Sequence, residues 1–476
     1  MATQTLPVPI FQKTYKSVDG VELSDQNLLL CDGYLDELGG TVARPGSSAL
    51  FSIDTTAGIG WQGLYYWQEG DQVIGTTSGY AYRLTYASKI ASVNVLNVTP
   101  IPSSDLRTSF ATDGTYVFFA NGGQIYYVNS TYGLISAIAD TEAPYAASSI
   151  AYIDGYILAN QVGTNKFFWS DVNSSLSWNA LNFASAAGSS DSIVAIRVLN
   201  REIYLFGARS IEIWENDGSS PFARIPGGFI ESGCSAPLSV TIDANTLYWL
   251  DDRRHFVRYN GKNVETLASP YDRVIQSFDT VEDCYVQKLE IDSRPFFVFQ
   301  FPSANRTIVY NAAQQDWCEW GSWKSDRGEY DRWIGGAYCY AEPWGLHLIG
   351  RTDKRIVSRL SQQYTDDDGD TIRVCRITGN INFGTLKTKR SSEFRIVARR
   401  GDGLSTRTPQ IMIRYKEDGL RWSQLKTFSL GDLGDYRIII RDFRRSIFRT
   451  KQYEFSATDS APIVFINAEE DLEVLR

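Results

Sequence analysis

Histidine is nearly missing: the 476 residues contain only His255 and His347. A three-histidine metal centre is therefore excluded, and any acid–base chemistry would fall mostly to carboxylates. The six cysteines (Cys31, Cys234, Cys284, Cys318, Cys339, Cys375) are scattered, with no Cys-x-x-Cys. That usage argues against a zinc site or a disulfide framework and fits free thiols of a chain made in a reducing cytoplasm. No apolar run approaches the ~18 residues that a membrane span needs. The opening MATQTLPVPIFQKTY lacks the apolar core of a signal peptide. Positive charge is in deficit, Lys+Arg 46 against Asp+Glu 55 for a net charge of -9, which disfavours a conventional basic nucleic-acid binder. Long stretches with helical periodicity are also missing.

What is present is aromatic and turn-rich: Trp 12, Tyr 27, Phe 24 and Gly 38. Short β-branched and aromatic runs alternate with glycine, asparagine and aspartate turns, so the expected class is all-β. The runs recur. TYVFFA then QIYYVN follow Gly114, YILAN then KFFWSD follow Gly155, and EIYLFG then IEIWEN follow Asn200. TLYWLDD follows Asn245, PFFVFQF follows Arg294, and GLHLIG follows Trp344. A period of ~40–50 residues with about four short strands is that of a propeller blade. Residues 63–84 look like an earlier copy, giving a β-propeller of six to seven blades. A pair of β-sandwiches with evenly spaced hairpins is the competing reading. Ser269 as N-cap, Pro270, and an apolar face of Val274, Ile275 and Phe278 predict a short helix over residues 270–278.

The expected organisation is an N-terminal extended arm (1–40), the propeller (41–362), an acidic linker (363–371) and a C-terminal antiparallel β-sandwich (372–476). Charge divides along the same line, -15 over residues 1–350 and +6 over residues 351–476. The linker YTDDDGD fails as an EF-hand, because Tyr364 and Cys375 occupy the end positions where acids are needed. YKEDGLRW (residues 415–422) is similar to a sialidase Asp-box hairpin, which is a folding element. Asp251 and Asp252 beside His255 are candidates for a carboxylate site of a propeller glycoside hydrolase acting on bacterial surface polysaccharide, weighed against an ordinary charged turn. Two basic clusters follow the linker: Lys387, Lys389, Arg390, Arg395, Arg399 and Arg400, then Arg437, Arg441, Arg444, Arg445, Arg449 and Lys451. They suit phosphate or an acidic partner surface, or are solvated strand faces.

Four stretches in order carry a family resemblance: CDGYLDELGGTVARPG (31–46), FFWSDVNSSLSWNALNFASAAGSSDSIVAI (167–196), LFGARSIEIWENDGSSPFARIPGGFIESGCSAPLSV (205–240) and PQIMIRYKEDGLRWSQLKTFSLGDLGDY (409–436). Together they resemble the tail hub, or nozzle, of short-tailed bacteriophages, also called packaged-DNA stabilisation proteins. Leu420 and the IIIRDFRRS segment depart from the family pattern. The resemblance implies a virion protein, synthesised and assembled in the bacterial host cytoplasm. It implies a homo-oligomeric ring, usually a hexamer, that continues the DNA channel below the portal and its adaptor and retains the genome. It further implies docking of tailspikes, tail fibres or a needle, with double-stranded DNA passing without sequence-specific binding. No catalytic residue, cofactor or metal is expected. Arg395, Arg399, Arg400, Arg441, Arg444 and Arg445 are the candidate partner interface.

Overall fold

The computed structural model describes residues 3–10, 29–36, 40–54, 60–97, 100–102, 107–129, 134–189, 191–218, 221–400, 408–431, 437–459 and 463–475. Six blades are each built from four consecutive antiparallel strands, beginning with Trp61–Trp67, Ser109–Thr112, Ile150–Ile153, Ile193–Leu199, Thr241–Asp243 and Tyr285–Ile291. A seventh four-stranded unit closes the circle: Gly335–Ala341, Leu346–Arg351 and Arg355–Ser361 take Gly46–Asp54, from far upstream, as their outer strand. Closure by a distant strand removes the open edges that a linear array of blades would leave.

The repeat points in the sequence fall on the first hairpin of successive blades. There the backbone turns left-handed, at Gly114 (φ +90°), Gly155 (+88°), Asn200 and Arg201 (+52°, +65°), Ala244 and Asn245 (+43°, +60°), and Asp292 and Ser293 (+49°, +61°). Two-residue turns of this hand match the twist of the flanking strands. The last blade uses a short 3-10 turn, Glu342–Trp344, instead. Apolar faces pack between neighbouring blades, as where Trp67 and Ile74 meet Val117 and Phe119.

Around the axis, hydrogen bonds join one blade to the next. Thr108 N donates to Gln62 O (3.3 Å), Ile150 N to Ser109 Oγ (3.1 Å), and Ile196 N to Ser149 Oγ (2.9 Å). Val286 N donates to Leu238 O (3.0 Å) and Gln287 Nε2 to Gly335 O (3.1 Å). The seam from last to first blade is closed by packing: a Cβ on Gly350 would lie 2.6 Å from Trp61.

The carboxyl-terminal sandwich packs two sheets around Phe394, Ile396, Ile411, Ile413, Tyr453, Phe455 and Phe465. One sheet runs Gly33–Leu35, Thr41–Ala43, Ile463–Val474, Lys389–Arg400, Ile438–Phe448, with Gln4–Pro7 also paired to Ile463–Val474. The other contains Val374–Ile377, Lys451–Ala457, Gln410–Glu417 and Lys426–Ser429, and it is continuous with the sixth blade. The connector is Leu29–Cys31, parallel to Asp316–Glu319 and antiparallel to Val374–Ile377. Within residues 1–40, expected as an N-terminal extended arm, Gln4–Pro7, Leu29–Cys31 and Gly33–Leu35 are strands of these sheets. Thr41–Ala43, expected at the start of the propeller, pairs in the sandwich.

The acidic stretch 363–371 differs from a solvated linker. It forms a hairpin, Asp366–Asp367 with Asp370–Thr371, on the edge of the closing blade, and Asp367 is buried. The physical reason is arginine. Arg44, fully enclosed, donates to Asp32 (2.7 Å), to both oxygens of Asp367 (2.6 and 3.2 Å), to Gly321 O (3.0 Å) and to Pro45 O (3.2 Å). Arg351 holds Asp368 (3.2 Å), Asp353 (2.8 Å) and Asp370 (3.4 Å). The predicted helix is shorter than the sequence suggested, Asp272–Gln276, with Ile275 buried and Ser269 Oγ accepting from Tyr271 N at 3.1 Å.

Candidate functional site

The basic residues of the sandwich are mostly committed to local acids. Arg395 sits on the central strand Lys389–Arg400, directly opposite Arg441 on one side and Glu469 on the other. Its guanidinium donates to both oxygens of Asp471 (2.8 and 3.1 Å) and to Glu393 (3.1 Å). The hydrogen bond to Asp471 is the main reason its pKa lies above the ordinary arginine value. Arg441 lies 3.5 Å from Glu393. Arg390 pairs with Glu473. Lys389 is buried, donating to Thr385 O (2.6 Å) and Lys387 O (2.9 Å). Lys451 is buried against Glu470 at 2.5 Å, among the rings of Tyr415, Phe448 and Tyr453. Arg399 is exposed and makes no ion pair among the described residues. The side chains of Arg400, Arg444 and Arg445 lie outside the described residues.

An outward face of free cations is therefore not what the described residues form. Two of the six candidate arginines, Arg395 and Arg441, share one surface with Glu393, Glu469 and Asp471. What the sequence reading missed is the apolar component of that face. Among the described residues Ile438–Phe448 is an edge strand, and Ile439, Phe443 and Ile447 project outward, 50%, 72% and 61% exposed, in line with Arg441. The signal was in IIIRDFRRSIF: apolar residues occur at both parities, so one set must face outward. A long edge strand with an apolar outer face is a pairing and packing surface unless something covers it.

The carboxylates considered for hydrolysis are occupied in turns. Asp251 Oδ1 accepts from Arg253 N (2.9 Å) and His255 N (2.7 Å), and Asp252 accepts from Gly233 N (3.2 Å). His255 Nδ1 is 3.8 Å from Asp251. Asp272, near both, is pushed up to about 6, chiefly by burial. In the Asp-box-like hairpin, Asp418 Oδ1 accepts from Arg449 N (2.7 Å) and Thr450 N (2.8 Å), which anchors the turn. Among the described residues no cluster of three metal-ligating acid, cysteine or histidine side chains occurs.

Among solved structures, the chain is similar to the extracellular domain of the putative hybrid two-component system BT4673 from B. thetaiotaomicron, at 10% identity and TM-score 0.45, covering 87% of this chain and 62% of that one. It is similar to PorZ, a type-IX secretion component of Porphyromonas gingivalis, at 12% identity and TM-score 0.41, covering 80% of this chain and 46% of that one. A nidogen/laminin complex matches at 13% identity and TM-score 0.33, over 55% of this chain and 92% of that chain. The chain thus spans less than two thirds of the two bacterial chains it matches, and likenesses at these scores carry no argument about function. A comparison with curated protein sequences finds no match. The family model described as bacteriophage P22 Gp10, β-propeller, matches residues 68–365, which covers more than half of the chain and reaches from the first blade through the closing one. On that match, the chain belongs to the phage stabilisation family of β-propellers, a family of structural phage proteins.

Proposed function

We propose that the chain is a tail-hub subunit of a short-tailed phage virion. Copies would form a ring, six in the family pattern, that continues the DNA channel below the portal adaptor and retains the packaged genome. Tailspikes, tail fibres or a needle would dock on it. The observation that carries this reading is the family match across the blades.

Three physical features support it. A cavity of about 530 Å³ on the propeller axis is the size of a small-molecule pocket and cannot pass a duplex, so DNA passage requires a hole between subunits. The first 350 residues carry -15, so a wall made from them would repel the phosphate backbone rather than hold it. The edge strand Ile438–Phe448, with Ile439, Phe443 and Ile447 exposed beside Arg441, offers aromatic and arginine anchors of the kind that dominate stable interfaces. A ring needs two different patches per subunit, and this strand would be one of them.

Negative-stain microscopy of the purified chain tests the reading. Rings with an axial hole are expected, and co-sedimentation with the portal adaptor at low salt. Monomers that never assemble, alone or with the adaptor, would refute it.

A further inference from the structure

The seven innermost strands line an axial cavity of about 530 Å³, and a second lobe of about 460 Å³ shares Thr108, Phe110 and Arg197 in its wall. Each lobe has the volume of a ligand site. Much of the wall is apolar, including Leu64, Phe110, Leu238 and Val286. The charged groups lining the larger lobe are Arg107, Arg197 and Lys288, against one carboxylate, the exposed Glu282. This local excess of cations sits inside the acidic three quarters of the chain.

Lys288 is neutralised by Asp243 at 2.6 Å. The two arginines have no carboxylate partner among the described residues. Arg197 bridges the fourth and fifth blades, donating to Val240 O (3.2 and 3.3 Å), Ile196 O (2.8 Å) and Ser149 Oγ (3.3 Å). Those bonds leave one of the guanidinium's five N–H groups uncommitted. Arg107 donates to Trp61 O (2.5 Å) and lies over the Tyr285 ring at 3.8 Å. The ring covers its face and leaves most of its N–H edge unused. Arg332 adds a further positive charge beside Arg107 and Tyr285, and its buried Nη1 has no hydrogen-bond partner among the described residues. Burial pushes Arg107 and Arg197 below the usual arginine range. Both nevertheless stay charged at neutral pH, so the cavity holds desolvated cations that carbonyl dipoles only partly compensate.

We propose that the axial cavity binds a small organic oxyanion, a carboxylate or phosphate on an apolar body, with its charged end on the N–H edges of Arg107 and Arg197 and its body against Phe110 and Leu238. The tail-hub reading neither requires this site nor depends on it.

Isothermal titration of the full chain with benzoate and, separately, with phenyl phosphate, at ionic strength matched by sodium chloride, tests the proposal. One-to-one binding is expected for at least one probe, and the stronger response identifies carboxylate or phosphate as the favoured group. Arg107→Gln is expected to weaken binding about tenfold, the loss of one charge-assisted hydrogen bond. Glu282→Gln removes an exposed carboxylate that makes no side-chain contact among the described residues, and should tighten binding about twofold by relieving repulsion across solvent. Absence of binding by both probes overturns the proposal, as does an Arg107→Gln protein that binds as the parent does. If Arg107→Gln does not fold, Glu282→Gln decides: unchanged or weaker binding counts against the site.

Discussion

Replacing Arg44 by methionine should loosen the junction between propeller and sandwich. Arg44 makes five hydrogen bonds, to two carboxylates and two carbonyls, and is 2% exposed. The groups it joins belong to the residue between the connector and the sandwich strand Gly33–Leu35 (Asp32), to the added acidic hairpin (Asp367) and to the start of the hairpin strand Gly321–Lys324. Methionine fills much of the volume but leaves two buried carboxylates facing each other. Breaking a buried ion pair from one side costs about 3–5 kcal/mol, and two unpaired carbonyls add about 1 kcal/mol each, so the total is about 5–7 kcal/mol. Unfolding entropy of about 2.1 cal/mol/K per residue, taken over the whole chain as one cooperative unit, is about 1 kcal/mol/K. The midpoint in differential scanning calorimetry should therefore fall by about 5–7 °C, and by more if the sandwich separates first. Limited proteolysis should cut earlier near residues 363–371. Adding Asp32→Asn and Asp367→Asn should recover at least half of the loss, since the damage is uncompensated charge rather than shape. A shift below about 1 °C in Arg44→Met, or no recovery in the triple variant, would refute the reasoning.

Other outcomes follow from the same contacts. Asp272, held up at about 6 by burial, binds its proton more tightly folded than unfolded, so the stability this gives is present below about pH 4 and is lost as pH rises through 6. Asp272→Asn should then be neutral at pH 4 and stabilise by about 1 kcal/mol at pH 7 once partial exposure is allowed for, read as a difference in urea midpoints. Gly350→Val would press a branched side chain into Trp61 at the closing seam, and should destabilise by about 2–4 kcal/mol; a parent-like melting temperature would sink the seam argument. Phe443→Asp on the exposed edge strand should leave the melting temperature within about 1 °C while reducing ring assembly at least tenfold by mass photometry; intact assembly would remove this strand from the interface.

How much of this was legible in the sequence can be argued from particular residues. The all-β class, the blade period and its turns were, because Gly114, Gly155, Asn200 and Asn245 sit where two-residue hairpins need left-handed backbone, and that need is local. The short helix was legible in place but not in extent, since its N-cap is Tyr271 rather than Ser269 and it ends at Gln276. The partner surface was half legible. Charge at Arg395 and Arg441 is visible in one dimension, whereas its neutralisation by Asp471 and Glu393 depends on register between strands distant along the chain. Local pattern thus determined fold class, repeat and charge asymmetry. Tertiary structure alone decided which strand closes the propeller, that Leu29–Cys31 joins it to the sandwich, that Arg44 buries Asp367, and that Arg107 and Arg197 line one axial cavity. Each of these pairs residues that are far apart in sequence, and a contact of that kind leaves no periodic trace in the chain that makes it.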